Sequence, residues 1–224
     1  DTFAATPGNV VKAENGDPLL VYTNKGKRIL LLALPEPLRF GSCLKTLKQL
    51  SNKRRSFFNA PVTLDFRLFP DEQIEMLSDA AVNGLLLGSY EIGKYKQDNG
   101  RGEHPLSVGS AQISLLTRES QADAAREGAR IGEATAHTQL SIIDLVNAPS
   151  NKKTPQVMAD WAVDSARFFG YQATVFDRDE IEEMGMHALL GVNRGSEHPA
   201  RFILLEYRSE EAPADQLIGL VGKG

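Results

Sequence analysis

Lys223 is the residue whose setting most invites chemistry. It lies in "GLVGKG", residues 219–224, directly after a run of apolar residues. A glycine-lysine pair behind a buried strand suggests a phosphate-binding loop, which requires G-x-x-x-x-G-K-[ST]. Here Leu217 occupies the first glycine position and Gly224 the final hydroxyl position, so that reading fails. A lysine at the carboxyl end of a strand still stands where α/β proteins place their sites. A solvated strand-end lysine is the plain alternative. The four histidines, His104, His137, His187 and His198, form no H-E-x-x-H motif and no short-range metal pair, so they read as surface or packing residues. Asp179, Glu180, Glu182 and Glu183 gather at a predicted helix start, where carboxylates oppose the helix dipole and stay in water. No G-x-S-x-G elbow marks a nucleophilic serine, though spacing alone leaves a Ser-His-Asp triad open. Lys45, Lys48, Lys53, Arg54 and Arg55 make a basic run that reads as a solvated helix end or as a phosphate contact.

The elements that must position these residues follow from periodicity. Two apolar runs flank Asn24-Lys25-Gly26-Lys27, a turn signal compatible with a hairpin. Phe40, Leu44, Leu47 and Leu50 have helical spacing. Val62, Leu64, Phe66 and Leu68 alternate with polar residues, which predicts a strand with one wet face. Ile74, Leu77, Ala81, Leu85 and Gly88 predict a helix over 71–90. "YKQDNGRGEHP" is a loop by composition, and "AQISLLT" a short strand.

A long alanine-rich stretch poor in breakers then predicts one helix over 121–146, with a stripe of Ile131, Thr135, Thr138, Ile142 and Leu145. Its many Ala and Gly positions allow a neighbour to approach closely. Thr154 suits an N-cap, Pro155 a first helical position and Gly170 a helix terminator, with Met158, Trp161, Ala162, Ser165, Phe168 and Phe169 facing inward. "YQATVF", "ARFILLEYR" and "QLIGLVG" read as strands, the last as one buried on both faces. "NAPSNKKTP" and "GVNRGSEHP" are turn-rich loops beside these strands, and either can shape a cleft.

The bounds are ordinary for a globular chain. There are 224 residues, 42% hydrophobic and 24% charged. The net charge of −4 argues against a dedicated nucleic-acid binder. Residues 144–224 carry 8 Lys/Arg against 13 Asp/Glu, so the acidity lies in the second half. The single Cys43 cannot build a disulfide framework or a cysteine zinc site, which favours a reducing, cytoplasmic location. "DTFAATPGNVV" shows no signal-peptide pattern, and the longest apolar run, "ILLLAL", is too short to span a bilayer. Chemistry alone leads to a two-domain α/β protein with a candidate lysine site.

Four segments carry a resemblance. "DLVNAPSNKKTP" is similar to the D-L-V-N-x-P-x-N-x-x-x-P signature of the leucyl (cytosol) aminopeptidase family. "GMHALLGVNRGSEHPARFILLEY", "GLLLGSYEIGKYK" and "LVGKG" resemble further segments of that family, in the same order. The likeness is good from about Leu77 onward and weak over the first seventy residues, where "LLLALPEP" departs from the family's usual G-L-G-containing turn.

The resemblance implies a macro-domain-like N-terminal α/β domain at residues 1–120, a linker helix at 121–146, and the start of a zinc-exopeptidase-like catalytic domain at 147–224. It implies two divalent ions, zinc or manganese, with Lys223 as a ligand. It implies peptide substrates with a free N-terminus, a homo-oligomer of hexameric type, and no membrane. The other ligands and the catalytic residues would follow Gly224, with none inside residues 1–224. An ammonium cannot coordinate a cation, so such a lysine must be neutral, a state that burial beside two dications favours. The expectation is a portion of an aminopeptidase, inactive by itself, with Leu217, Ile218, Leu220 and Val221 exposed for want of sheet neighbours. The alternative is a non-catalytic regulatory or nucleic-acid-binding module using the Lys45–Arg55 run.

Overall fold

The computed structural model describes residues 18–22, 28–92, 103–209, 213 and 216–223. The predicted loop at 95–105 and the hairpin turn at 24–27 fall largely outside these residues. The chain divides into two compact units, residues 1–146 and 147–224.

In the first unit, β1 (Leu19–Tyr22) pairs antiparallel with β2 (Arg28–Leu31), Leu19 opposite Leu31. Helix α1 (Phe40–Lys53) follows, then a 3-10 turn at Arg55–Asn59. Strand β3 (Val62–Asp65) lies parallel to β4 (Ile113–Leu116), Val62 opposite Ile113. Parallel strands need a crossover, and α2 (Ile74–Gly88) lies within it. Helix α3 (Ala122–Asn147) closes the unit.

Strand β3 stops sooner than the alternation predicts. The Asp65 carboxylate takes the Arg67 backbone N–H at 3.1 Å and its guanidinium at 2.6 Å, which turns the chain. Phe66 is buried, but Leu68 is 95% exposed. A local side chain to backbone bond outcompetes the ladder here.

Helix α2 is the centre of this unit. Ile74, Leu77, Ala81, Leu85 and Gly88 are all buried, as the spacing predicts, but so are Ala80, Asn83, Gly84 and Leu87 on its other faces. A helix buried all round needs neighbours on several sides. One is α1, reached through Gly84 and Gly88. A Cβ on Gly84 would stand 2.6 Å from the Leu44 carbonyl oxygen. The other is α3, reached through Gly128 and Gly132. A Cβ on Gly132 would stand 2.6 Å from the Asp79 carbonyl oxygen and 3.2 Å from the Asn83 nitrogen.

This seam corrects the stripe expected on α3. Its buried residues are Ala125, Gly128, Gly132 and Ala136, while Ile142 is 43% exposed and Thr138 is also exposed. The buried face is the one that lets two backbones touch, not the one with the largest side chains.

Asn83 is fully buried on α2, and neither amide atom finds a hydrogen-bond partner among the described residues. A buried unpaired amide costs about 1–3 kcal/mol. Asn83→Leu, close in size, is therefore expected to stabilise the fold by about 1 kcal/mol. Urea denaturation followed by circular dichroism checks this, and a lowered midpoint would show that Asn83 has a partner after all.

In the second unit, α4 (Pro155–Phe169) begins as the sequence predicts. Thr154 Oγ1 accepts the Val157 N–H at 3.3 Å, Pro155 opens the helix, and Gly170 ends it at φ 77°. Its buried face is Ala159, Ala162 and Ala166, whereas Phe168 and Phe169 are 82% and 66% exposed, against the expected inner face. The helix packs against β5 (Gln172–Phe176) and β6 (Phe202–Glu206), with Met158, Trp161 and Ser165 half-buried. These two strands pair antiparallel, Gln172 opposite Glu206. Short helices α5 (Arg178–Glu183) and α6 (His187–Asn193) lie between them in sequence.

Candidate functional site

Residues 216–223 adopt no strand. This corrects the expectation of a strand at "QLIGLVG". Leu217, Ile218, Leu220 and Val221 are 96%, 88%, 94% and 102% exposed, the exposure expected of this run when no sheet neighbour covers it. A continuously apolar strand is stable only between neighbouring strands and beneath covering helices. No described strand pairs with residues 216–223. Lys223 is exposed at the end of this segment.

The loops expected to shape a cleft are held locally. "NAPSNKKTP" forms a 3-10 turn at Ser150–Lys152, leading into the Thr154 cap. In "GVNRGSEHP", the His198 carbonyl accepts the Asn193 amide at 3.0 Å and the Ser196 hydroxyl at 3.1 Å. The Arg201 guanidinium donates to Gln156 Oε1 at 2.8 Å, tying the strand entry to α4.

The acidic cluster opens on a helix cap in which Glu180 takes part with Asp177. Asp177 Oδ1 accepts the N–H groups of Asp179 and Glu180 at 3.0 and 3.1 Å, and Glu180 Oε2 accepts the Asp177 N–H at 2.8 Å. This reciprocal pair satisfies the free N–H groups of the first turn of α5.

Of the histidines, His137, His187 and His198 are exposed, while His104 is buried. His104 Nε2 lies 3.5 Å from Ser51 Oγ, which superficially suggests a nucleophile and its base. The geometry excludes that role. His104 Nδ1 accepts the Leu106 N–H at 3.1 Å, so the ring proton is on Nε2, which donates to the Ser51 carbonyl at 3.1 Å. A nitrogen carrying its proton cannot take one from serine. The basic run is solvated: Lys45, Lys48, Lys53 and Arg54 are exposed, and Arg55 pairs with Glu91 at 2.5 Å.

A two-metal centre needs several donors converging on each ion, with carboxylates to balance the charge. Among the described residues, no group of three or more His, Cys, Asp or Glu side chains could hold a metal ion. Lys223 alone does not make such a centre, so the described residues do not by themselves fit the implied pair of ions. No helix among the described residues is long and apolar enough to cross a membrane.

The family described as "Cytosol aminopeptidase family, catalytic domain" matches residues 142–224. A probable cytosol aminopeptidase of Sulfurihydrogenibium sp. is 31% identical over 220 residues, covering 95% of this chain and 42% of that protein. The counterpart in Persephonella marina is 36% identical over 152 residues, covering 67% of this chain and 29% of that protein. The chain thus spans less than half the length of these relatives. Among solved structures, a tomato leucine aminopeptidase variant has a TM-score of 0.71 at 20% identity, over 85% of this chain and 37% of that one. The bottromycin maturation enzyme BotP in complex with Mn has a TM-score of 0.63 at 22% identity, over 91% of this chain and 44% of that one. These two likenesses establish a shared mixed α/β fold. With the order of the four sequence segments and the relatives they match, the chain belongs to the leucyl (cytosol) aminopeptidase family.

Proposed function

We propose that this chain is the N-terminal portion of a metal-dependent leucyl aminopeptidase that removes N-terminal residues from peptides. The observation that carries this reading is similarity to cytosol aminopeptidases along 95% of the chain. The match to a catalytic domain over residues 142–224 disfavours the alternative of a regulatory or nucleic-acid-binding module. In this reading residues 1–120 form a macro-domain-like domain, 121–146 a linker helix, and 147–224 the beginning of the catalytic domain. The working enzyme is a cytoplasmic homo-oligomer, of hexameric type.

The proposed cofactors are two divalent ions, zinc or manganese. The Mn complex of the similarly folded BotP supports the second choice. Lys223 would be one ligand, through a neutral amine. Such ions, when bound, supply Lewis-acid activation of a carbonyl or a water. The contribution of this chain is to deliver Lys223 at the end of residues 216–223 once neighbouring strands order that segment.

The test is a paired assay. Residues 1–224, with verified mass, are mixed with manganese or zinc and leucine amide, beside the longer protein encoded by the same gene. The longer protein is expected to turn over and the 224-residue chain is not. Metal-dependent turnover by the chain alone would sink the assignment of the other ligands to later sequence. An inactive longer protein with bound metal would sink the aminopeptidase reading.

A further inference from the structure

We propose that His104 is a pH-sensitive latch: its neutral imidazole fastens the turn at residues 103–110 to the C-terminal end of α1, and protonation releases that turn. The proposal does not rest on the aminopeptidase reading.

The latch is built from both ring nitrogens. Nδ1 accepts the Leu106 N–H at 3.1 Å, and Nε2 donates to the Ser51 carbonyl at 3.1 Å. The Ser51 carbonyl belongs to the last turns of α1, where carbonyls lack helical partners. The ring also lies 5.7 Å from the Phe58 ring, and the residue is only 2% exposed. The backbone of the turn closes on the same residue. The His104 carbonyl accepts the N–H groups of Ser107 and Val108 at 2.9 and 3.2 Å, and the Ser107 hydroxyl at 2.8 Å. The Pro105 carbonyl takes the N–H groups of Ser110 and Ala111 at 3.0 and 3.1 Å, just before β4 begins.

A second ring proton has nowhere to go. An imidazolium is a donor at both nitrogens. A proton on Nδ1 would face the Leu106 N–H, donor against donor, in a site closed to water. Leu106 N–H would lose its acceptor, and a buried charge would gain none. Relief requires the turn to lift away from α1 and Phe58.

The charged groups facing His104 are Arg55, from the 3-10 turn, and Glu91, beyond α2; they pair with each other at 2.5 Å. The guanidinium opposes the imidazolium and the carboxylate favours it. Burial is the largest influence and holds the histidine below its ordinary value. A released histidine titrates near ~6.5. The latch therefore contributes its full stability above that pH, and loses it as pH falls through the lower value of the closed state.

The test is hydrogen exchange of the chain at pH 7.5 and pH 5.0, corrected for intrinsic exchange. Peptides covering residues 103–110 are expected to lose protection at the lower pH, by up to about tenfold for each pH unit between ~6.5 and the lower closed-state value, and no further below it. α2 and α3 should keep theirs. In His104→Asn the amide oxygen can still accept the Leu106 N–H but does not titrate. The local loss of protection should then disappear. The same pH dependence in His104→Asn and wild type would overturn the latch. If His104→Asn fails to fold, the nitrogen-15 spectrum of the wild-type imidazole decides. An unprotonated Nδ1 at pH 7.5, with protonation and loss of protection at the same midpoint, supports the latch. A proton on Nδ1 at pH 7.5, or titration without loss of protection, overturns it.

Discussion

In the proposed longer enzyme, Lys223→Ala is expected to lower turnover of leucine amide by more than about 100-fold, the loss that even indirect damage to a metal site can approach. The reason is the proposed coordination: an alanine offers no donor, and the ion that Lys223 would hold is then lost or misplaced. Lys223→Arg is expected to fail as badly, because a guanidinium keeps its proton and cannot bind a cation. The fold of the first unit should survive both changes, since Lys223 lies in an exposed segment of the second unit. Metal content by mass spectrometry and circular dichroism complete the measurement. Wild-type metal occupancy and rate in Lys223→Ala would remove the ligand role altogether.

Gly132→Leu is expected to destabilise the first unit by about 3 kcal/mol or more, at the upper end of what overpacking costs. A side chain at this position meets backbone, not a movable side-chain end: the Asp79 carbonyl oxygen at 2.6 Å and the Asp79 Cα at 3.0 Å. The two helices must separate, and the separation opens the buried small-residue face of α3 and exposes Asn83 on α2. A domain has only about 5–15 kcal/mol in hand, so the loss is a large part of the total. Gly191→Ala in α6 is the control. Nothing lies within 4 Å of its added Cβ, and alanine is the better helix former. A thermal or urea midpoint for Gly132→Leu equal to wild type would show that α2 and α3 do not touch at Gly132 in solution.

The sequence by itself determined the elements whose causes are local. Thr154, Pro155 and Gly170 set both ends of α4 through a hydroxyl acceptor, a fixed φ and a left-handed residue, and none of these needs a distant partner. The stretch that became α3 contains no proline, so its helix was legible from propensity. The Ile74–Gly88 stripe was legible from its period. The family was legible too, because four spaced segments keep their order without reference to any coordinates.

Tertiary structure decided which faces are used. On α3 the sequence marked both a stripe of larger residues and small positions open to close approach, and the glycine and alanine positions proved to be the buried ones. On α4 Ala162 lies inside as expected but Phe168 and Phe169 do not, because which positions are covered depends on what the packed neighbour presents. It decided that one histidine among four is buried with both nitrogens engaged, since Ser51 and His104 are 53 residues apart. It also decided the state of residues 216–223. Their composition suits a buried strand, but a strand is a relation between segments, and with no neighbouring strand among the described residues to take its N–H and C=O groups the same residues stay in water.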